Sequence, residues 1–161
     1  VQRPQRKYGK DDAWLKVQRY CAYQERSHYE VREKLYSWGL YRNEVDAIMA
    51  DLITEGFLNE ERFARAYVSG KFRMKQWGRI KIKLKLKEKR VTDYCIRKGM
   101  EEIDEDEYLE TLRALIDKKN AALNEPNEYI RYNKSSKFVI GKGYESQLVW
   151  EVIKELKSSS K

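Results

Sequence analysis

The feature that most constrains this chain is a pattern of apolar residues that returns three times along it. Val31, Leu35, Leu40, Val45, Met49 and Leu52, shifted by 51 positions, fall on Ile82, Leu86, Val91, Ile96, Met100 and Ile103. A further shift of 53 carries Leu86 and Val91 onto Val139 and Tyr144. The closing stripe Val45, Ile48, Met49, Leu52 then maps without a gap onto Val149, Val152, Ile153, Leu156. Spacings of three, four and seven residues mark one face of an α-helix. Any two amphipathic helices share a stripe, but a stripe, a turn and a second stripe in three copies argue for internal repetition. The chain therefore reads as all-α, with three-helix units at 13–57, 58–104 and 105–157, a basic N-terminal tail at 1–12 and a frayed C-terminal tail at 158–161.

Local signals agree. With 8 Gly and 2 Pro in 161 residues, few breakers interrupt the helices. Trp14, Val17 and Cys21 place a helix near 11–26, and Ser27-His28-Tyr29-Glu30 is a capping-box sequence ahead of a helix that runs to Gly39. Asn59 is placed to cap a helix carrying Phe63, Ala66 and Tyr67. Leu109, Leu112, Ile116 and Leu123 mark a helix near 105–124, and Pro126 sits at the next helix start. One segment resists, because Arg79-Ile80-Lys81-Ile82-Lys83-Leu84-Lys85-Leu86-Lys87 alternates strictly, the period of a half-buried strand. The repeat sets Ile82 and Leu86 on the helical Val31 and Leu35, and Lys and Leu favour helix, so helix is the preferred reading and strand the alternative. As a helix the segment has two apolar stripes, Ile80/Leu84 and Ile82/Leu86, suited to being wedged between two neighbours.

The net charge of +8 is unevenly placed. Residues 71–90 hold ten basic groups and one acid, Glu88, whereas the rest of the chain carries 24 basic and 25 acidic residues. Close behind, residues 101–110 hold seven acids and no base. A like-charge run is commonly a solvated face, and a binding surface is the sharper reading. Seven of the ten cations are Lys, point charges suited to phosphate, whereas base reading calls for bidentate groups. The expected partner is a polyanion bound without regard to sequence, or an acidic protein surface. The candidate residues are Arg73, Lys75, Arg79, Lys81, Lys83, Lys85, Lys87, Lys89 and Arg90, with Lys134, Lys137 and Lys142 as a sparser second set expected to matter less. Trp77 could stack a base, but most of the Trp and Tyr residues fall on apolar stripes and read as core.

Several chemistries are disfavoured. His28, read as an exposed residue beside a helix cap, is the only histidine, which excludes a histidine-centred triad or a multi-histidine metal site. Cys21 lies on an apolar face, Cys95 sits beside the apolar Ile96, and the two form no CxxC pattern, consistent with a reducing cytoplasm. No phosphate-binding glycine motif is present. Glu101, Glu102, Asp104, Glu105, Asp106 and Glu107 could hold a hard cation in a nuclease, but acids opening a helix suit its dipole. No apolar run approaches the roughly 18 residues of a membrane span, and the basic residues 1–7 lack the apolar stretch of a secretory signal.

Specific segments carry a family resemblance. Gly56-Phe57-Leu58-Asn59-Glu60-Glu61-Arg62-Phe63-Ala64-Arg65-Ala66-Tyr67-Val68 resembles the signature of RecX, the bacterial regulator of the RecA recombinase. Ser27 to Leu35, followed by Gly39, resembles the family's Ser-x-x-Glu-Leu-x-x-Lys-Leu element. Gly78-Arg79-Ile80 with Arg90-Val91, and Lys137 to Tyr144, are similar to later elements. Asn59-Glu60 stands where the family often has two aspartates, and Arg90 replaces a common glycine. The resemblance implies an elongated, curved array of three three-helix repeats that binds the RecA–DNA filament and restrains it by limiting filament growth and ATP hydrolysis. It implies a regulator that is not an enzyme, needs no cofactor and has no catalytic residues to carry over; a monomer that does not engage a membrane is the expectation. The competing expectation is a helical protein that binds DNA or RNA, independently of sequence, without RecA.

Overall fold

The computed structural model describes residues 4–159, which form nine α-helices and no strand. In chain order they are α1 (Lys10–Tyr23), α2 (His28–Ser37), α3 (Arg42–Thr54), α4 (Glu60–Lys75), α5 (Arg79–Glu88), α6 (Asp93–Met100), α7 (Glu105–Ala122), α8 (Glu128–Gly141) and α9 (Ser146–Ser159). The chain divides into two compact units, residues 1–67 with 86–99 and residues 68–85 with 100–161, so the divisions fall inside α4 and α5.

In the first unit, one core joins Ala13, Val17 and Cys21 of α1 to Val31 and Leu35 of α2 and Val45, Ile48, Met49 and Leu52 of α3. Trp38 closes one end of it, with the Tyr8 ring edge-on at 5.3 Å. The capping box at the start of α2 is complete: Ser27 Oγ accepts from Glu30 N at 3.1 Å, and Ser27 N donates to Glu30 Oε2 at 3.2 Å. The N-terminal stretch is docked rather than loose over residues 5–8. Lys7 N donates to the Trp38 carbonyl at 2.9 Å, and Arg6 makes two bonds to the Glu44 carboxylate at 3.1 and 2.8 Å. Those bonds hold the Glu44 carboxyl below its ordinary range. Gly39 admits this passage, since a Cβ there would stand 2.5 Å from Arg6 Cα. Residues 1–3 lie outside the described residues, as do Ser160 and Lys161. Ser158 and Ser159 are helical, so α9 runs on through the start of the expected frayed tail.

In the second unit, α7 packs on α8 and α9 around Tyr108, Leu112, Ile116, Tyr132, Val139, Val149, Val152 and Ile153. The hydroxyl-bearing but small Ser135 and Ser136 are buried in α8. Phe72, Tyr108 and Tyr144 form a continuous aromatic run, with centroid separations of 5.7 and 4.9 Å. Asn127, not Pro126, sets the start of α8: its Oδ1 accepts from Ile130 N at 3.1 Å, and Pro126 lies one residue outside the cap.

The repetition is written into the hydrogen bonds. After α2, α5 and α8, the amides of Leu40, Val91 and Tyr144 donate to the carbonyls of Leu35, Leu86 and Val139 at 3.4, 3.1 and 3.2 Å. The residue before each, Gly39, Arg90 or Gly143, has φ of 84°, 58° or 104°. This is one helix-ending motif in three copies, at the positions related by the shifts of 51 and 53. Residues 79–87 are helix, not strand. Ile82 and Leu86 are fully buried, but Ile80 and Leu84 are 54% and 56% exposed. The helix is therefore seated on one apolar stripe and not wedged by two.

The aromatic residues are less often core than their stripes imply. Trp38, Tyr108, Tyr132 and Tyr144 are buried, but Tyr23, Tyr41, Tyr94 and Tyr129 are more than half exposed. His28 is half-buried instead of exposed: its Nδ1 stands 4.0 Å from Glu60 Oε1, and its Nε2 is buried with no hydrogen-bond partner.

Candidate functional site

The ten cations of the basic block are not equivalent once their neighbours are in place. The start of α5, in the second unit, shows why. No local side chain caps this helix, whose N-cap residue is Gly78; instead the distant Tyr108 Oη accepts from Arg79 N at 3.0 Å, and the carbonyls of Lys142 and Gly143 accept from Gly78 N and Ile80 N at 2.9 Å each. Three of the orphan amides that every helix start presents are thus met by α7 and by the α8–α9 turn. Gly78 is required for this approach, because a Cβ on it would lie 2.2 Å from the carbonyl carbon of Gly143.

Arg79 locks the same joint. Its guanidinium donates to Glu145 at 2.9 Å and to Glu105, and lies over the Tyr108 ring at 3.9 Å. Burial opposes its charge, but the bond and attraction to Glu145 and the field of Glu105 hold its pKa above the ordinary value. Tyr108 donates to the other Glu145 oxygen; burial, and then that bond, raise its phenol far above the usual tyrosine range. Tyr144 Oη donates to the Gln76 carbonyl at 3.0 Å.

Other block residues are similarly engaged. Arg73 donates to Ser69 Oγ at 3.1 Å and stands 3.8 Å from Glu107. Lys81 lies 4.3 Å and Lys71 5.0 Å from the centroid of the half-buried Trp77 ring, within cation–π range. In the first unit, Lys89 donates to Glu30, and Arg90 lies over the Tyr29 ring at 4.6 Å. Of the sparser set, Lys142 Nζ donates to the Lys75 carbonyl at 3.2 Å, and Lys134 stands 4.0 Å from Glu125. Lys85 is half-buried and has a partner of its own.

What remains is a smaller set. The ammonium groups of Lys75, Lys83, Lys87 and Lys137 are exposed and have no hydrogen-bond or ion-pair partner among the described residues. Beside them is a feature that sequence reasoning placed indoors. Ile80 and Leu84 stand at i and i+4 on α5 with Lys83 between them, a solvent stripe of aliphatic and ammonium groups. Its signal was the second apolar stripe of the alternating segment.

The acidic run is explained from within. Asp104 caps α7 by accepting from Glu107 N at 3.0 Å, and Glu105 and Glu107 face Arg79 and Arg73. Among the described residues no group of three or more His, Cys, Asp or Glu is arranged to hold a metal ion. Burial pushes the Cys21 thiol up to about 11, the property of a core cysteine and not of a nucleophile. No helix among the described residues is long and apolar enough to cross a membrane.

Comparison with known proteins bears on the same segments. Residues 13–52 match the family model of the first three-helix domain of RecX, and residues 59–100 that of the second, together a little over half of the chain. Regulatory protein RecX of Clostridium tetani is 32% identical over 130 residues, which cover 79% of this chain and 57% of that protein. The Bacillus mycoides protein of the same name is 23% identical over 145 residues, covering 90% of this chain and 54% of its own length. The chain thus spans about half the length of these relatives. Among solved structures, RecX from Lactobacillus salivarius superposes with a TM-score of 0.84 at 22% identity, covering 92% of this chain and 96% of that one. A second crystal structure of regulatory protein RecX gives 0.81 at 21% identity, covering 91% and 73%.

Proposed function

Because this chain belongs to the RecX family, we propose that it binds the RecA–DNA filament and inhibits recombinase activity in DNA repair and recombination. In this reading it is a non-enzymatic, cytoplasmic and monomeric regulator that needs no cofactor. The observation that carries the reading is the family match across both three-helix domains. The surface chemistry supports it, since unpaired ammonium groups at Lys75, Lys83, Lys87 and Lys137 sit on helices whose buried faces are already complete. Each is available to a polyanionic partner without disturbing the fold. Helical repeats would offer such groups along an extended partner.

The test is RecA's DNA-dependent ATP hydrolysis with increasing amounts of this protein. The expected result is a saturable decrease, and no change at saturating protein in low salt overturns the proposal. The lysine-rich chemistry of the unpaired groups also favours a second reading, binding to DNA or RNA without the recombinase. Its mark is tight binding to bare nucleic acid that weakens steeply with salt, with a slope that scales with the phosphates neutralised.

A further inference from the structure

Resting on the filament-binding reading, we infer that the solvent stripe of α5 around Ile80, Lys83 and Leu84 docks on protein rather than on DNA. Its occupant is an acidic protein surface on the recombinase, with an aliphatic side chain rimmed by Asp or Glu carboxylates.

Three observations lead there. First, the block's bidentate and stacking groups, which could add to simple charge in holding nucleic acid, already have partners. Arginine forks match phosphate and base edges, and all three arginines of the block have partners: Arg73 at Ser69 and Glu107, Arg79 at Glu145 and Glu105, Arg90 over Tyr29. Trp77, the aromatic in the block that could stack a base, carries the ammonium groups of Lys71 and Lys81 over its ring.

Second, what the stripe offers instead is aliphatic. Ile80 and Leu84 are each more than half exposed, although the neighbouring Ile82 and Leu86 show that this helix has a complete buried face without them. Phosphate gains nothing from an isoleucine or leucine side chain, whereas an apolar protein contact gains from every area of such surface it removes from water. Third, the charge between them is a lysine without a partner among the described residues. An unpaired ammonium flanked by exposed aliphatics is complementary to a carboxylate beside an apolar residue, the usual composition of a protein interface and its rim.

The experiment compares the wild-type chain, the double variant Ile80→Ala with Leu84→Ala, and Lys83→Glu. Each is titrated by fluorescence anisotropy against labelled single-stranded DNA, bare and coated with RecA, at two salt concentrations. Alanine favours helix and both aliphatic positions are exposed, so circular dichroism should be unchanged. Leu84→Gln carries the same expectation at smaller size should the double variant lose helix. The expected result is that the aliphatic variants lose roughly tenfold or more in affinity for the coated filament, with binding to bare DNA and the salt dependence unaltered. Lys83→Glu should weaken filament binding as well.

If the aliphatic variants keep wild-type filament affinity while Lys83→Glu weakens coated and bare DNA alike, the lysine meets phosphate. That overturns this inference and leaves the proposed function intact. If all variants bind the filament as wild type does, the stripe is not the docking face, and the inference falls in the same way. If the wild-type chain itself does not bind the coated filament, the proposed function fails and the inference with it.

Discussion

Helices α2 and α5 hold the same place in successive repeats and bury the same side of themselves. Val31 and Leu35 in one, and Ile82 and Leu86 in the other, are fully buried at positions related by 51 residues. Their starts and their outer faces have diverged. The cap of α2 is Ser27, closed on Glu30; the equivalent positions of α5 are Gly78 and Lys81, which cannot form a capping box. The outer face of α2 carries Arg32, paired with Asp46 at 2.7 Å, followed by Glu33, whereas that of α5 carries Lys83 and Leu84. The comparison teaches that the repeat fixes the buried stripe and the closing turn, and leaves the helix start and the outer face free to change. A helix start can give up its local cap when tertiary partners take its amides, and the outer face can then be altered without cost to the core.

The sharpest way to break this comparison is to add one carbon at the α5 start. Gly78→Ala would put a Cβ 2.2 Å from the carbonyl carbon and 2.3 Å from the carbonyl oxygen of Gly143. These are backbone atoms that no rotamer change can move aside. The expected loss of stability is about 3 kcal/mol or more, read as a lower urea midpoint. A loss below about 1 kcal/mol, the scale of an ordinary cap, would show that the α8–α9 turn does not hold α5.

A smaller effect compares the two starts directly. Ser27→Ala removes a local cap and should cost about 1 kcal/mol. Arg79→Gln removes a half-buried cation from two carboxylates and an aromatic ring, leaving Glu145 with only the Tyr108 hydroxyl. Its expected cost is about 2 kcal/mol. Equilibrium unfolding of both variants checks the order, and a cheaper Arg79→Gln would mean that the backbone bonds of Gly78 and Ile80 suffice.

Arg79 also marks the limit of what the amino-acid order reveals. The helices were legible because apolar periodicity is a local property, and residues 79–87 became legible once their register was tied to Val31 and Leu35. Ser27 and Asn59 announced their caps for the same reason, since each cap bonds a residue three positions on. The binding surface was legible only as a region. Which cations remain unpaired depends on partners such as Glu145 for Arg79, 66 residues away, and Glu30 for Lys89, 59 away. No spacing rule connects those. The aromatic residues failed for a related reason. A helical period says which side a tyrosine is on but not how far the neighbouring helix extends over it, so Tyr132 is buried and Tyr129, one turn earlier, is not. The division of the chain inside α4 and α5 is likewise silent in the sequence, because each helix continues through it.

The smallest predicted effect concerns the other end of the two helices. Gly39 and Arg90 close α2 and α5 with the same hydrogen bonds and both adopt positive φ, 84° and 58°. For an L-residue that conformation costs about 1 kcal/mol or more, so Arg90 carries a strain that Gly39 does not. Arg90→Gly removes it, but gives the unfolded chain more freedom and gives up the contact with the Tyr29 ring at 4.6 Å. The net expectation is a gain of about 0.5 kcal/mol, seen as a slightly higher urea midpoint. The reverse exchange is not its mirror image. Gly39→Ala meets Arg6 Cα at 2.5 Å and its N at 2.8 Å as well as the positive φ, and should destabilise by about 2 kcal/mol. Arginine is tolerated at one copy of this turn because space is open there, and glycine is required at the other because the N-terminal segment crosses it. A loss of stability in Arg90→Gly would mean that the contact with Tyr29 outweighs the backbone strain, making the arginine a structural part of α5's end.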